Sequence, residues 1–277
     1  MVIGADSSNT YRKLNTLKNI LARMESALLA CSGGTDSMFL LYAAHEALNT
    51  RLAVATVRAP YMFEEEYEGV LRATAALGLR HFTIDVAIGE GPAKLWHNPP
   101  ERCYLCKKYL FTRLSQLKNE IGCAALLDGS HSDDRPEHRP GFQALGELGV
   151  VSPLRASNLT KAEIRELARK MDLAVWNKPS NSCLLTRLPY GTAVTEATLA
   201  RIAAAEQLLS AHGFPEARAR VHGDLLRIEA DPAKTRHLLN PDAEPSLTAE
   251  LKALGFRYVT VDLEGYRPQE SVPGQVR

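Results

Sequence analysis

The sequence predicts an α/β fold, a doubly wound parallel sheet with a smaller C-terminal α+β domain. Three observations predict it. Short unbroken apolar runs alternate with helical patterns over the first two thirds of the chain. A Gly-Gly pair stands where the first apolar run meets the first helical pattern. Beyond Gly191 the order changes to a helix, two β runs, a helix and a last β run. Strands covered on both faces read as continuous apolar runs, because neither face meets water, and strands separated by helices pair in parallel.

The elements follow in order. SALLACSGG ends the first strand, TDSMFLLYAAHEAL is the first helix, and RLAVATVRA is the second strand. A helix is expected near Glu64 to Leu77, then the strand HFTIDVA, a helix from Cys103, the strand CAALLDG and a last parallel strand in VVSPLR. NLTKAEIRELARKMDL is a further helix: Thr160 or Asn158 can cap it, and Glu163 puts an acid in the first turn, where the helix dipole favours one. The long loop WNKPSNSCLLTRLPYG is expected to be a hinge that carries function. TEATLARIAAAEQLLSAHG, ARARVHG, DLLRIEA, a helix around Ser246 to Leu254 and the strand FRYVTVDL make the second domain. The boundaries expected from this pattern are 1–191 and 192–277, with a frayed Pro-rich tail.

Composition restricts the partners. The 277 residues carry 33 Lys+Arg against 32 Asp+Glu, so no global field draws the chain to nucleic acid or an anionic membrane. A small charged substrate suits it better. The start, MVIGADSSNTYRKLNTLKNI, lacks the apolar core of a signal peptide, and no later run is long enough to cross a bilayer; the expected compartment is the cytoplasm. Thiols stay reduced there, so Cys31, Cys103, Cys106, Cys123 and Cys183 are not expected to form a disulfide framework. Cys31 and Cys123 lie in apolar strand runs and read as core residues.

Ser32, Gly33, Gly34, Thr35, Asp36 and Ser37 read SGGTDS at the end of a strand and the start of a helix. Two glycines there let the backbone approach a phosphate, and the helix N-terminus offers free N–H groups and the positive end of its dipole. Ser32 and Ser37 add hydroxyl donors, and Asp36 can hold Mg²⁺ or orient the loop. The plain alternative is a capped Gly-Gly turn. The loop is not of Walker A type, since no Gly-Lys-Ser/Thr follows it.

ERCYLCKKYLF raises a second question. Cys103 and Cys106 extend backward the stripe of Leu110, Leu114, Leu117 and Ile121, so both thiols are expected to face inward near a helix N-terminus. They read as buried small hydrophobes, as a redox pair with Arg102 and Lys107 nearby, or as part of a metal site. Cys183, in SNSCLLTRLPYG, is the candidate third ligand. Three thiolates suit zinc, with His97 or His131 as the fourth donor, or a cubane iron–sulfur cluster with one iron left open. Lys107 either balances the charge of a cluster or phosphate, or is solvated. Arg218 and Arg220 alternate onto one face of a strand, where two guanidiniums can clamp a nucleotide phosphate bidentately, or they are surface charges on an edge strand. Trp176 and Tyr190 read as packing residues, and His81, His212 and His237 belong to no constellation.

At SGGTDS the sequence resembles the PP-loop ATP pyrophosphatases (adenine nucleotide alpha hydrolase-like), which cleave ATP between the α and β phosphates and leave an adenylated substrate. DGSHSDD, HRPG, SPLR, KAEIRELA, TRLPYGTAVT and GFRYVTVDLEGYR further resemble the LarE family, and the matching segments reach almost to the C-terminus. The resemblance implies an ATP-dependent sulfurtransferase using Mg²⁺ that adenylates a carboxylate of pyridinium-3,5-biscarboxylic acid mononucleotide and makes it a thiocarboxylate for a nickel-pincer cofactor. Members come in two styles, one sacrificing a loop cysteine and one using three cysteines and a [4Fe-4S] cluster. The Cys103–Cys106 pair resembles the second, which implies Cys103, Cys106 and Cys183 as cluster ligands, a hydrosulfide on the cluster as sulfur source, and Arg187, Arg218 and Arg220 on the substrate phosphate. It also implies a homo-oligomer assembled through the second domain; the donor that reloads the sulfur is not legible. A cluster-dependent tRNA thiolase and a non-catalytic nucleotide sensor with structural zinc are the competing readings, and the near-neutral charge weighs against the first.

Overall fold

The computed structural model describes residues 5–134, 140–179, 181–239 and 245–266. Its contacts divide the chain into two compact units, Met1–Pro92 with Glu101–Asn181, and Ala93–Pro100 with Ser182–Arg277.

In the first unit, α1 (Ala5–Ala22) precedes β1 (Ala27–Ala30), α2 (Thr35–Leu48), β2 (Leu52–Arg58), α3 (Glu64–Ala76), β3 (Arg80–Asp85), α4 (Arg102–Glu120), β4 (Ala125–Leu127), α5 (Gly141–Glu147), α6 (Pro153–Ala156) and α7 (Lys161–Lys170). The strands pair in parallel in the order β3-β2-β1-β4, with Leu28 of β1 between Ala53 and Leu126. Helices flank this sheet. Phe39, Leu40, Leu41 and Ala44 of α2 are fully enclosed, with α1 and α7 packed against that helix. Full burial of each such leucine contributes roughly 1.5–3 kcal/mol, which fixes α2, and the loop before it, against the sheet.

Several elements differ from expectation, among them α5 and, in the second unit, the helix Pro232–Leu238, where the pattern of apolar runs announces no helix. Helix α1 forms ahead of the first strand, where no element is expected from the pattern of apolar runs. VVSPLR does not make a full strand: Val151 alone bridges in parallel to Leu127, and Pro153 then opens α6. Proline has no N–H for a sheet ladder, and its fixed φ suits the first helical position. Thr160, not Asn158, caps α7. Its hydroxyl accepts from the Glu163 N–H at 3.3 Å while the Glu163 carboxylate accepts from the Thr160 N–H at 2.8 Å, a complete capping box.

The second unit contains α8 (Glu196–Ala211), β5 (Arg218–His222), β6 (Leu225–Glu229), α9 (Pro232–Leu238), α10 (Pro245–Ala253) and β7 (Tyr258–Val261). β5 and β6 are antiparallel, β6 and β7 parallel, and α8 packs on β5 with α10 beside it. This is the small α+β domain expected, but by contacts it begins at Ser182, ahead of the expected boundary, and it also takes in Ala93–Pro100. The cause is Asn98, fully buried, whose side-chain nitrogen lies 3.0–3.2 Å from the carbonyls of Leu185, Leu188 and Pro189. The Val194 N–H also donates to the Trp96 carbonyl at 2.9 Å, so a short excursion of the chain is stitched to the RLPYG segment. The Pro-rich tail and His138 and Arg139 of HRPG lie outside the described residues, as does the side chain of His237.

Candidate functional site

β1 delivers the chain into SGGTDS, and α2 starts at Thr35 with Gly34 as N-cap and no side-chain cap. The first N–H groups of α2 therefore have no side-chain acceptor, the condition under which a helix start binds an anion. Gly33 has φ +82, and a Cβ there would collide with the Glu66 carbonyl oxygen, so the loop is seated on α3 as only glycine permits. Gly129 supplies the other wall: a Cβ would come 3.0 Å from Cα and N of Ser37. Ser37 Oγ donates to the Gly34 carbonyl at 3.1 Å and accepts from the Ser32 N–H at 3.2 Å, which shapes the loop. Thr35 is committed elsewhere, its hydroxyl donating to the Val175 carbonyl at 2.8 Å. Ser32 remains exposed.

Charge gathers beside the loop. Asp36 Oδ2 pairs with Lys161 Nζ at 2.6 Å, and His131 Nε2 stands 4.0 Å from it and 3.6 Å from Asp134. Asp36 Oδ1 is enclosed with no hydrogen-bond partner among the described residues. An orphan carboxylate oxygen beside a phosphate loop fits a divalent cation carried in with nucleotide. On the opposite flank, Lys178 Nζ lies 3.4 Å from the Gly33 carbonyl and 3.2 Å from Glu66, whose carboxyl burial pushes above its usual range. Sequence reasoning did not single out Lys161, Lys178 or Glu66. Lys161 at the first position of a capped helix was the one available signal, since a cation there opposes the dipole and needs a nearby anion. His131, a candidate zinc ligand by sequence, sits instead among Asp36, Asp133 and Asp134. His97 is exposed.

Cys31, just before the loop, is buried, and burial pushes its thiol up to about 11. Cys123 is buried too, with its pKa raised for the same reason. The other three cysteines are accessible. Cys103 is exposed, Cys106 and Cys183 are half-buried, and Tyr61 Oη lies 3.5 Å from Cys106 Sγ. The expectation that both thiols of α4 face inward therefore fails for Cys103. The inward row is Arg102, Cys106, Leu110 and Leu114 at four-residue spacing, with Arg102 itself buried, and Cys103 is turned about 100° from Arg102 around the axis. Cys103 and Cys106 belong to the first unit and Cys183 to the second. Among the described residues no three or more His, Cys, Asp and Glu are arranged so that they could hold a metal ion. Three accessible thiols are donors that suit iron–sulfur ligation, and with a histidine they would equally suit zinc. Lys107, on the same helix, lies 5.5 Å from the centre of the Phe142 ring.

In the second unit the three arginines are all buried. Arg187 holds Glu206 through Nε at 2.7 Å and Nη2 at 3.0 Å; Arg220 holds Glu229 at 2.8 Å and donates to the Thr186 carbonyl. Arg218 and Arg220 share one face of β5, and Arg218 Cζ lies 5.1 Å from the Tyr266 ring centre. Burial, then the nearby Arg187 charge, lowers the Arg218 pKa from its usual value. The residues form a cationic cluster partly neutralised by Glu206 and Glu229, acids that the strand pattern alone did not indicate. Trp176 is exposed, so it does not pack as expected; Tyr190 is half-buried.

A four-stranded parallel sheet opening through a Gly-Gly loop onto an uncapped helix defines a PP-loop ATP pyrophosphatase fold. In agreement, the chain is 30% identical over 172 residues to one component of the glutamine-hydrolyzing GMP synthase of Archaeoglobus fulgidus, covering 57% of this chain and 55% of that one. No family model matches the sequence. It is 34% identical over 258 residues to the pyridinium-3,5-bisthiocarboxylic acid mononucleotide synthase of Lactiplantibacillus plantarum, covering 92% of each chain. It is 33% identical to an uncharacterized protein of Synechocystis, covering 92% of this chain and 95% of the other. The chain belongs to the LarE family of ATP-dependent sulfurtransferases.

Proposed function

We propose that this enzyme adenylates a carboxylate of pyridinium-3,5-biscarboxylic acid mononucleotide with ATP and Mg²⁺ and converts it to a thiocarboxylate, with Cys103, Cys106 and Cys183 holding a [4Fe-4S] cluster. The observation that carries the reading is the full-length similarity to the Lactiplantibacillus plantarum synthase, in a chain whose phosphate loop sits beside an orphan carboxylate. The backbone of SGGTDS and the first turn of α2 would hold the pyrophosphate, with Asp36 on Mg²⁺ and Lys161 and Lys178 neutralising phosphate oxygens. The substrate carboxylate attacks the α phosphorus and pyrophosphate leaves; sulfur then adds to the activated carbonyl carbon and AMP leaves. When bound, the cluster would supply that sulfur as a hydrosulfide on its open iron. Lys107 and the α4 N-terminus balance thiolate charge, and Arg187, Arg218 and Arg220 bind the substrate phosphate.

The test is two measurements on anaerobically purified protein: iron and acid-labile sulfide per chain, and AMP release with the mononucleotide. About four irons per chain with substrate-dependent AMP is the expected result. Zinc without iron and no AMP would point to a nucleotide sensor, and AMP release with tRNA alone to a thiolase.

A further inference from the structure

A cavity of about 440 Å³ opens beside α5 and α6, lined among others by Phe142, Gln143, Leu145, Val150, Ser152 and Arg155. It lies at the carboxyl edge of the parallel sheet, where such folds bind ligands: Ser152 follows the Val151–Leu127 bridge and donates to Asp128 at 2.5 Å, and Gly129 is already the wall of the phosphate loop. Among the described residues Arg155 is the one charged side chain in the lining, and no acid lines the cavity. The guanidinium carbon lies 4.8 Å from the Phe142 ring centre and Lys107 Nζ lies 5.5 Å from the same centre. Neither cation has a carboxylate partner among the described residues; Glu147, the acid on α5, is taken by Lys108 at 2.7 Å and by Gln143 at 2.8 Å. Gly141 lets Lys107 approach, since a Cβ there would lie 2.7 Å from Lys107 Cδ.

Arg155 is a half-buried cation in the lining with no described carboxylate to pair it, and with an apolar floor of Leu145 and Val150 it suits an anion that is itself flat and partly apolar. We infer that this cavity is the acceptor pocket of the proposed reaction: it takes the aromatic carboxylate end of the substrate, with Arg155 on the carboxylate and the floor of Leu145 and Val150 under the ring. A hydrated phosphate would leave the apolar floor uncovered, whereas a pyridine carboxylate covers it and pairs with Arg155. The inference rests on the acyl-adenylating reading, and it adds the residues that select the acceptor.

The test uses the full-length protein with pyridine-3,5-dicarboxylate as probe, measured by calorimetry, with Mg·ATP binding and thermal unfolding as controls. Arg155→Ala is expected to weaken the probe at least about tenfold, the loss of a charge-assisted contact, while Arg155→Lys recovers part of it and ATP affinity stays unchanged. AMP release with the mononucleotide should then show a raised KM at similar kcat. Equal probe affinity in wild type and Arg155→Ala, or inorganic phosphate displacing the probe as well as the dicarboxylate itself does, overturns the pocket assignment. Failure of the wild type to release AMP while it binds the probe through Arg155 would instead sink the acyl-adenylating reading and leave the site.

Discussion

Asp36 is the residue on which the phosphate loop turns. One of its oxygens is paired to Lys161 and the other is enclosed without a partner among the described residues, the arrangement on which its proposed hold on Mg²⁺ rests. Asp36→Ala and Ser37→Ala are each expected to abolish substrate-dependent AMP formation while leaving iron content and cluster absorbance as in wild type. Wild-type adenylation by either variant would reduce SGGTDS to a turn. Cys31 gives a pH prediction of definite sign. Its thiol ordinarily titrates near 9.0 and burial raises it to about 11, so the unfolded chain loses a proton that the folded chain keeps. Stability from this group is whole below pH 9 and falls as pH rises from about 9 to about 11. Cys31→Ala should flatten that part of the unfolding curve, and wild-type Cys31 should resist alkylation at about pH 8 until the protein is denatured.

At the level of elements, α7 and the α8–β5 pair carry separable contributions. The Thr160–Glu163 capping box satisfies two N–H groups at the start of α7, and Lys13 of α1 also grips Glu163 at 2.8 Å. Thr160→Ala should cost about 1 kcal/mol in denaturant unfolding, and because Lys161 follows the cap it should also weaken ATP binding. A stability loss with ATP affinity untouched would separate α7 from the nucleotide site. In the second unit Glu206 of α8 joins Arg187 to β5, accepting from Arg187 Nε at 2.7 Å and from the Ala219 N–H at 3.0 Å. Glu206→Ala leaves a fully buried guanidinium without its carboxylate and should cost about 3 kcal/mol or more. Arg218→Ala should instead weaken substrate at least about tenfold and spare ATP, since its proposed task is the substrate phosphate. If Arg218→Ala lowers stability alone, the arginine cluster is structural.

For the molecule taken whole, the decisive property is whether sulfur is renewed. If Cys183 were sacrificed, each chain would act once and the spent residue would be dehydroalanine. If Cys103, Cys106 and Cys183 hold a cluster, Cys183 survives turnover, added sulfide supports many cycles, and alanine at any of the three lowers iron. The second outcome is expected, because sacrifice gives no reason for two accessible cysteines in the first turns of α4. Intact-mass spectrometry of Cys183 after turnover, with iron measured on the single variants, decides it. Dehydroalanine in iron-loaded protein, with Cys103→Ala and Cys106→Ala still active, would remove the cluster from the mechanism.

Much of this is legible in the sequence, because much of it is local. Unbroken apolar runs fix parallel strands, SGGTDS needs only its position between a strand and a helix, and the four-residue spacing from Cys106 to Leu110 and Leu114 sets that thiol on the inner face. The motif segments point to the family without any knowledge of contacts. What the sequence does not display is what depends on residues far apart in the chain. Lys161 reaches Asp36, Lys178 and Glu66 close on Gly33, Asn98 carries Ala93–Pro100 into the second unit, and Glu206 and Glu229 neutralise two of the buried arginines. Cys103 is turned outward because Arg102 takes the inner row, a choice between neighbours that periodicity does not make. The order of residues along the chain is thus enough for most of the elements, for the phosphate loop and for the family. Which charges are spent on one another, and which, as at Arg155, meet no described carboxylate, follows from the folded arrangement, because burial and pairing are set by packing across the chain and not along it.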